Sequence, residues 1–369
     1  MNEMRDMAAG DEPASAFTFT GEWREFLPIA LTNLLLTVVT LGVYRFWAKA
    51  RERRYLWSRT RFIDDHLEWT GTGTEMFVGF LIVMAVLIPI GLFFQFGFTA
   101  MVFRGEEAAA ILIAAAIYIG IFYLIGVGQI RALRYRLSRT WWHGIRGGSE
   151  DGGWSYGWSY LWKTVVGWLA AGMMVPWSMT SLWNERWNRM SFGDLPFRAD
   201  AEIGNLIVRW LMIYLSPFIG MLLMGLAALV AWGVFGGDLF TDPTEAQAAM
   251  GAGFIFLMIL LFYLAFLLAS LSYYAAFFRQ VGNATTWGGI RFRFEARTKD
   301  WLKLVLGNIA LVVFTLGLGM MFIAYRNWSF AVRHLEASGE VHLDALRQSL
   351  TPTRSDAEGI ADAFDIGAV

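Results

Sequence analysis

A chain of 369 residues that is 56% hydrophobic and only 17% charged, with a mean hydropathy of +0.46, falls below the roughly one-quarter charged content of a soluble domain, and lipid is the solvent that balance fits. A net charge of -1 gives no general reason to expect nucleic acid or an acidic partner, so any basic surface is local. The absence of cysteine excludes disulfides, thiolate metal sites and cysteine nucleophiles; the four histidines (His66, His143, His334, His342) form no i, i+3 or i+4 pair, so no metal or other cofactor is expected.

Residues 1–16 are polar and small, with more acidic than basic character. They do not read as a signal peptide but as a disordered tail. A first unit follows over 17–75: a period-two strand FTFT (Phe17, Phe19), an apolar stretch from Phe26 to Trp47, a basic run, and a strand LEWTGT. Met76 to Phe103 and Ala109 to Ile130 then meet the roughly 20 apolar residues a transmembrane helix needs, and the link Arg104 to Glu107 joins them as a hairpin over 76–130. The second unit, 131–204, carries an aromatic alternation from Gly152 to Tyr160 read as a strand. Its apolar stretch runs from Val165 to Trp183 and ends at Val175-Pro176-Trp177, and SFGDLPFRADA closes the unit. A second hairpin spans 205–278, with apolar helices from Trp210 to Phe235 and from Gly251 to Phe278; its link, Gly236 to Met250, holds Asp238, Asp242 and Glu245 and no Lys or Arg. The third unit, 279–335, has the strand IRFRFEA and an apolar stretch from Leu302 to Ile323. Residues 336–369 are polar and read as a disordered tail.

The units repeat. At a constant offset of 275 residues, Phe17 falls on Phe292, Asn33 on Asn308, Thr40-Leu41-Gly42 on Thr315-Leu316-Gly317, and Arg51 on Arg326. At 145, Thr140, Trp142 and Gly144 fall on Thr285, Trp287 and Gly289. The middle copy is degenerate and lacks the Asn.

The positive-inside rule decides how the units sit. Seven spans would put either Lys49 to Arg61 or Arg279 to Lys299 outside. If the three weaker stretches dip into the cytoplasmic leaflet or lie on it, then 1–75, 131–204 and 279–369 all fall inside with both termini. The fold expected is an all-α polytopic membrane protein with short cytoplasmic or interfacial β-strands, made of two transmembrane hairpins and three re-entrant or interfacial helical units; seven transmembrane helices is the alternative. Exposed strand edges cannot sit in hydrocarbon, so the strands belong at the headgroup level or in a cytoplasmic sheet.

Several of these residues carry a resemblance. F-x-F-x-G (Phe17, Phe19, Gly21), N-x6-T-L-G (Asn33, Thr40 to Gly42), the run Trp47-Ala48-Lys49-Ala50-Arg51 with Arg53-Arg54-Tyr55, and G-N-x6-T-L-G-L (Gly307 to Leu318) resemble the YjgN-like family of bacterial inner-membrane proteins, a family of unknown function. The resemblance covers most of residues 17 to 335. It implies a location in the inner membrane rather than a reaction, and no catalytic residues to carry over.

The candidate sites are polar groups in apolar surroundings. Asn33 and Asn308, with Thr40 and Thr315, need hydrogen-bond partners, since an unsatisfied buried amide costs several kcal/mol. Either they line a polar path around a solute or lipid headgroup, or they tie helices together. Gly42 and Gly317 permit a helix break. Arg45, Lys49, Arg51, Arg53, Arg54, Arg59 and Arg61, interleaved with Trp47, Tyr55 and Trp57, form an interfacial basic segment. Arg51 and Arg54 of this run, with Arg326 at the place of Arg51 in the third unit, are the expected headgroup ligands, unless the run is only a topological anchor. Asp64, Asp65, His66 and Glu68 read as a solvated turn. Arg209 reads as an orientation signal near the start of the third span. The apolar spans hold no mid-depth Asp, Glu, Lys or His for proton coupling, and no catalytic centre is expected. The functions that remain are passage of a small solute or lipid headgroup, and a non-transporting scaffold binding anionic lipid or a cytoplasmic protein.

Overall fold

A computed structural model describes residues 15–169, 171–235, 244–340, 346–349 and 351. Its strand and helix order follows from five excursions of the chain away from one layer of short strands. The first excursion leaves β1 (Phe17–Phe19), runs through α1 (Trp23–Val39) and α2 (Arg45–Ser58), and returns as β2 (Thr60–Phe62). β1 and β2 pair antiparallel with Phe17 opposite Phe62, so this helical hairpin opens and closes on the same layer.

What reverses the helix is chemistry at Thr-Leu-Gly. Leu41 and Gly42 both adopt positive φ, +51° and +90°, the left-handed pair that ends helices and that glycine tolerates best. The Thr40 hydroxyl donates to the Leu36 carbonyl at 2.7 Å and accepts from the Tyr44 N–H at 2.9 Å, so one side chain serves both broken helix ends. Thr315 repeats this with the Leu311 carbonyl and the Gly319 N–H, both at 2.6 Å, beside Leu316 at +52° and Gly317 at +94°. The tip leucines, Leu41 and Leu316, are 93% and 94% exposed.

After β3 (Asp65–His66) and β4 (Glu68–Trp69), the second excursion is α3 (Gly73–Leu92), a π-helical turn Phe93–Gly97, α4 (Phe98–Phe103) and α5 (Glu107–Arg139). The Thr72 side chain and Glu75 form a capping box at the start of α3, and Glu75 also accepts from Arg139 at 2.6 Å, which clamps the two ends of this hairpin together. β5 (Thr140–Trp142) and β6 (Ile145–Gly148) lead to α6 (Trp154–Leu169) and α7 (Val175–Trp187), then to β7 (Ser191–Phe192) and β8 (Leu195–Ala199). The fourth excursion is α8 (Leu206–Phe235) and α9 (Glu245–Asn283). The fifth follows β9 (Thr285–Trp287) and β10 (Ile290–Phe294): α10 (Thr298–Phe314), a 3-10 turn Leu318–Phe322 and α11 (Ile323–Arg333), ending in β11 (Leu335–Ser338).

Among the described residues four helical stretches are long and apolar enough to cross a bilayer: Gly73–Phe103, Glu107–Arg139, Leu206–Val230 and Ala249–Asn283. They match the four charge-free stretches read from the sequence. At 33 residues α5 is about 50 Å long at 1.5 Å per residue, well beyond a hydrocarbon core of about 30 Å. Its basic end, Arg131 to Arg139, therefore reaches the strand layer. The long helices expose leucine, isoleucine, valine and phenylalanine along most of their length, as lipid-facing surfaces do.

The strands form one three-stranded sheet, β1-β2-β3, and one eight-stranded sheet in the order β11 to β4. Ser15 reaches Glu336 at 2.7 Å and Phe17 lies 6.4 Å from Phe292, so β1 abuts the β10–β11 edge; at the other end β3 runs through Leu67 into β4, and the two sheets together form a ring. Inside it, Phe62, Trp142, Phe192 and Trp287 share one buried cluster with Tyr156. The indole of Trp142 donates to the Phe62 carbonyl at 3.0 Å and that of Trp287 to the Phe192 carbonyl at 3.1 Å. The Thr-x-aromatic spacing explains this placement: Thr60, Thr140 and Thr285 each back-bond the carbonyl four residues earlier, ending the incoming helix, and the aromatic two residues on points inward.

Three sequence expectations change. The aromatic run from Gly152 to Tyr160 is not a strand: Trp154–Leu169 is helix, because Tyr156, Gly157, Lys163 and Gly167 bury one helical face while Trp154, Trp158, Trp162 and Trp168 lie exposed. Its glycine packs tightly on α5, where a Cβ on Gly157 would sit 2.7 Å from Val127. The short helical hairpin of the second unit, α6–α7, also does not break at Val175-Pro176-Trp177. The left-handed pair is Ala171 at +51° and Gly172 at +79°, and Pro176 stands in the first turn of α7, where proline is tolerated. In the region read as a disordered tail, β11 extends to Ser338, and Gln348 and Thr351 hydrogen-bond the β5–β6 hairpin. The acidic link after α8 falls outside the described residues from 236 to 243.

Candidate functional site

The first and third hairpins pack on each other. Trp57 stacks on Trp328 at 4.0 Å, Phe26 on Tyr325 at 5.3 Å, and the Tyr325 hydroxyl donates to the Gly21 carbonyl at 2.7 Å. Between them lies a cavity of about 660 Å³ whose charged lining is Arg45, Lys49, Arg53 and Arg136 against one carboxylate, Glu52. Asn33 and Asn327 supply amides to the lining, and Met320, Met321 and Trp328 supply an apolar wall. The positions on α2 follow helical spacing (45, 49, 52, 53, 56), which sets one face of the helix toward the cavity. Arg45 lies over the rings of Phe46 and Phe80 at 4.8 and 5.1 Å, and Arg53 over Trp69 at 4.9 Å. Lys49, Glu52, Arg53 and Arg136 each have protein partners as well. The local excess is three positive charges in a partly apolar cleft.

The expected site residues divide. Asn33 is buried, donates to the Ala48 carbonyl at 3.2 Å, and keeps a buried Oδ1 with no hydrogen-bond partner beside the cavity. Asn308 donates to Asn327 at 3.0 Å and accepts from Arg326 at 2.7 Å. The two asparagines therefore do not face each other across an open path; each ties the two arms of its own hairpin, and they share the cavity only through Asn327. Thr40, Thr315, Gly42 and Gly317 build the reversals. Arg51 turns to the Tyr44 hydroxyl at 3.4 Å and Arg54 is exposed, so Arg45, Lys49 and Arg53 of the same basic run hold the cavity instead. Helical spacing within that run was the signal that separates them.

The sequence reading passed over Lys163. With Gly42 set on Gly172, an offset of 130, Lys163 takes the place of Asn33. It is buried and pairs with Glu185 at 2.6 Å; Glu185 also holds Arg189 at 2.5 Å, and Arg189 reaches Asp151. Burial pushes the Glu185 carboxyl up, but hydrogen bonds from Lys163 and Ser159 and the charges of Lys163 and Arg189 outweigh it, so the net shift is downward. At the ring's edge Asp64 and Asp65 face His143, not His66: His143 Nε2 lies 2.9 Å from Asp64, and that hydrogen bond is the main cause of a lowered Asp64 pKa. Arg209 donates to the Ser272 carbonyl at 3.3 Å, which joins α8 to α9.

Long apolar helices on a strand ring, with a cationic cleft between short helical hairpins, mark a membrane protein. The chain belongs to the family described as "Bacterial protein of unknown function (DUF898)", whose model matches residues 14–363. It is similar to the "Inner membrane protein YjgN" of Salmonella typhimurium (strain LT2), 23% identical over 141 residues covering 37% of this chain and 36% of that one. It is also similar to the proteins of the same name in Escherichia coli K12 (26%) and O157:H7 (27%), each over 136 residues, 37% of this chain and 31% of theirs. The matches thus span about a third of the curated relatives' length, and they bear out the YjgN-like resemblance. No solved structure matches.

Proposed function

We propose that the protein holds an anionic, phosphate-bearing lipid headgroup in the cleft between its first and third helical hairpins, at the cytoplasmic face of the bacterial inner membrane. The observation that carries this is the lining: four cations against one carboxylate, with a free amide acceptor and an apolar wall, suit a headgroup whose acyl chains leave toward the bilayer. The relatives' name supports the membrane. The location of the ring supports the leaflet, because the basic ends of α2 and α5 adjoin it and the positive-inside rule sets such segments in the cytosol. On this reading the four long helices cross the bilayer while the three short hairpins enter and leave by one leaflet.

The test is native mass spectrometry of the protein released from nanodiscs of phosphatidylglycerol or phosphatidylcholine. Retention of phosphatidylglycerol should exceed that of phosphatidylcholine and fall about fivefold for each of Lys49→Gln and Arg53→Gln, at about 1 kcal/mol per cation. Equal retention of both lipids by wild type and variants rejects the assignment. Leaflet exchange measured in proteoliposomes of the same variants separates passage from holding: exchange lost with Lys49→Gln and Arg53→Gln makes the cleft part of a path, and headgroup retention without exchange makes the protein a lipid-binding scaffold.

A further inference from the structure

The first and third hairpins carry the same residues at equivalent places and use one of them differently. At the offset of 275, Asn33 and Arg51 stand where Asn308 and Arg326 do. In the third hairpin Arg326 Nε donates to Asn308 Oδ1 at 2.7 Å, and Asn308 donates in turn to Asn327 at 3.0 Å, so that amide is satisfied within the protein. In the first hairpin Arg51 turns to the Tyr44 hydroxyl at 3.4 Å instead, and Asn33 donates to the Ala48 carbonyl at 3.2 Å. That bond fixes which end of the amide is nitrogen. Asn33 Oδ1 is left without a donor among the described residues, although the residue is only 3% exposed. A buried acceptor with no donor is unfavourable until one is supplied. The acceptor belongs to a side chain of the headgroup cleft: Ala30, Asn33, Leu34 and Thr37 line it together, the i, i+3, i+4, i+7 stripe of one face of α1. The carbonyl that holds the amide is that of the residue before Lys49, another lining residue.

The equivalent donor of the protein is engaged elsewhere, so the occupant of the cleft is the remaining source of one. A phospholipid head offers two kinds of donor, an ammonium or a hydroxyl. An ammonium adds a positive charge to a lining that holds four cations and one carboxylate, and a hydroxyl adds none. We infer that Asn33 Oδ1 accepts a hydrogen bond from a headgroup hydroxyl, so that the cleft selects a phosphodiester carrying a polyol, such as phosphatidylglycerol, over the same phosphodiester without hydroxyls. This rests on the headgroup reading above and deepens it: charge draws a phosphate into the cleft, and the amide distinguishes what that phosphate carries. The third hairpin is the internal comparison, because Arg326 already fills the acceptor of Asn308.

The experiment compares lipids with identical acyl chains by native mass spectrometry of the full chain released from mixed nanodiscs. They are phosphatidylglycerol; phosphatidylpropanol, with the same phosphodiester and charge and no hydroxyl; phosphatidylethanolamine; and phosphatidylcholine. Wild type should retain phosphatidylglycerol about tenfold over phosphatidylpropanol, the scale of leaving a buried acceptor unmet, and both over phosphatidylcholine. Asn33→Leu should bring phosphatidylglycerol down to the level of phosphatidylpropanol and leave phosphatidylpropanol where it was, whereas Lys49→Gln should lower both and keep their ratio. Asn308→Leu, which unties the third hairpin at the equivalent place without touching the lining of the cleft, should also keep the ratio. Equal retention of phosphatidylglycerol and phosphatidylpropanol by wild type, both above phosphatidylcholine, overturns the inference and leaves the headgroup reading standing; equal retention of all four lipids overturns both. A ratio that survives in Asn33→Leu, or phosphatidylethanolamine retained above phosphatidylglycerol, also overturns the inference. Since Asn33 ties α1 to α2 as well, the wild-type ratio decides even if Asn33→Leu fails to fold.

Discussion

Glu185→Gln should destabilise the α6–α7 hairpin by about 3 kcal/mol. The carboxylate holds Lys163 at 2.6 Å and Arg189 at 2.5 Å, and all three side chains are less than a quarter exposed. Breaking a buried ion pair by removing one partner costs about 3–5 kcal/mol, mostly from the charge left behind. Arg189 keeps Asp151, so the main loss falls on Lys163. The double variant Lys163→Met with Glu185→Gln leaves neither charge stranded and should lie within about 1 kcal/mol of wild type, so the cycle completed by Lys163→Met should show a coupling of at least about 2 kcal/mol. Reversible unfolding in mixed micelles against rising SDS measures all four corners. The pH dependence has a definite sign: a carboxyl lowered on folding stabilises above its unfolded value, ordinarily 4.5, and that contribution is lost as pH falls through the lower folded value. Glu185→Gln should flatten the curve in that acid range. A cost under about 1 kcal/mol, or additive single variants, would refute the pairing as the hairpin's internal tie.

Other outcomes follow from the geometry. Gly42→Ala and Gly317→Ala each force a side chain into a left-handed reversal and should cost about 1–2 kcal/mol, whereas Gly225→Ala, in a helix with open space around it, should be close to neutral in the same unfolding assay. Asp64→Asn should remove an acid-sensitive contribution, since the wild-type stability supplied by the His143 contact is present above the unfolded carboxylate value and drains as pH falls through the lowered one; amide exchange at Arg61 to His66 against pH reads this directly. Trp142→Phe deletes the indole donor to Phe62 and should cost about 1–2 kcal/mol, loosening the ring first in hydrogen exchange.

Hydropathy made the four long helices legible because lipid-facing apolar surface needs no partner to specify it. The Thr-Leu-Gly reversals were legible for a local reason, one hydroxyl serving two helix ends and a glycine taking the strained dihedral. Trp154 to Tyr160 misled because tryptophan and tyrosine alternate there by two while the helix buries Tyr156 and Gly157 against α5, a partner that period-two counting ignores. Reading the strand there also pushed the second break to Val175-Pro176, which hid the equivalence of Asn33 and Lys163. The closure of the strands into a ring rests on pairings between segments far apart, such as Phe197 with Trp287 and Glu68 with Trp141, and no local pattern encodes those.

The ring bears on topology through parity. Each of the five helical excursions starts at one strand and ends at another of the same layer: β1 to β2, β4 to β5, β6 to β7, β8 to β9, and β10 to β11. A polar strand layer cannot straddle the hydrocarbon, so every excursion is expected to return to the side it left, with an even number of crossings. With the basic segments on the inner side, reporter fusions after Gly193 and after Lys299, one in the β7–β8 turn and the other in the first turn of α10, should both report the cytosol, as should one after Ile63. A periplasmic signal at either of the first two sites would require the chain to cross an odd number of times between ring strands, and the single-leaflet reading of the three short hairpins, with the cytosolic placement of the headgroup cleft that rests on it, would fail.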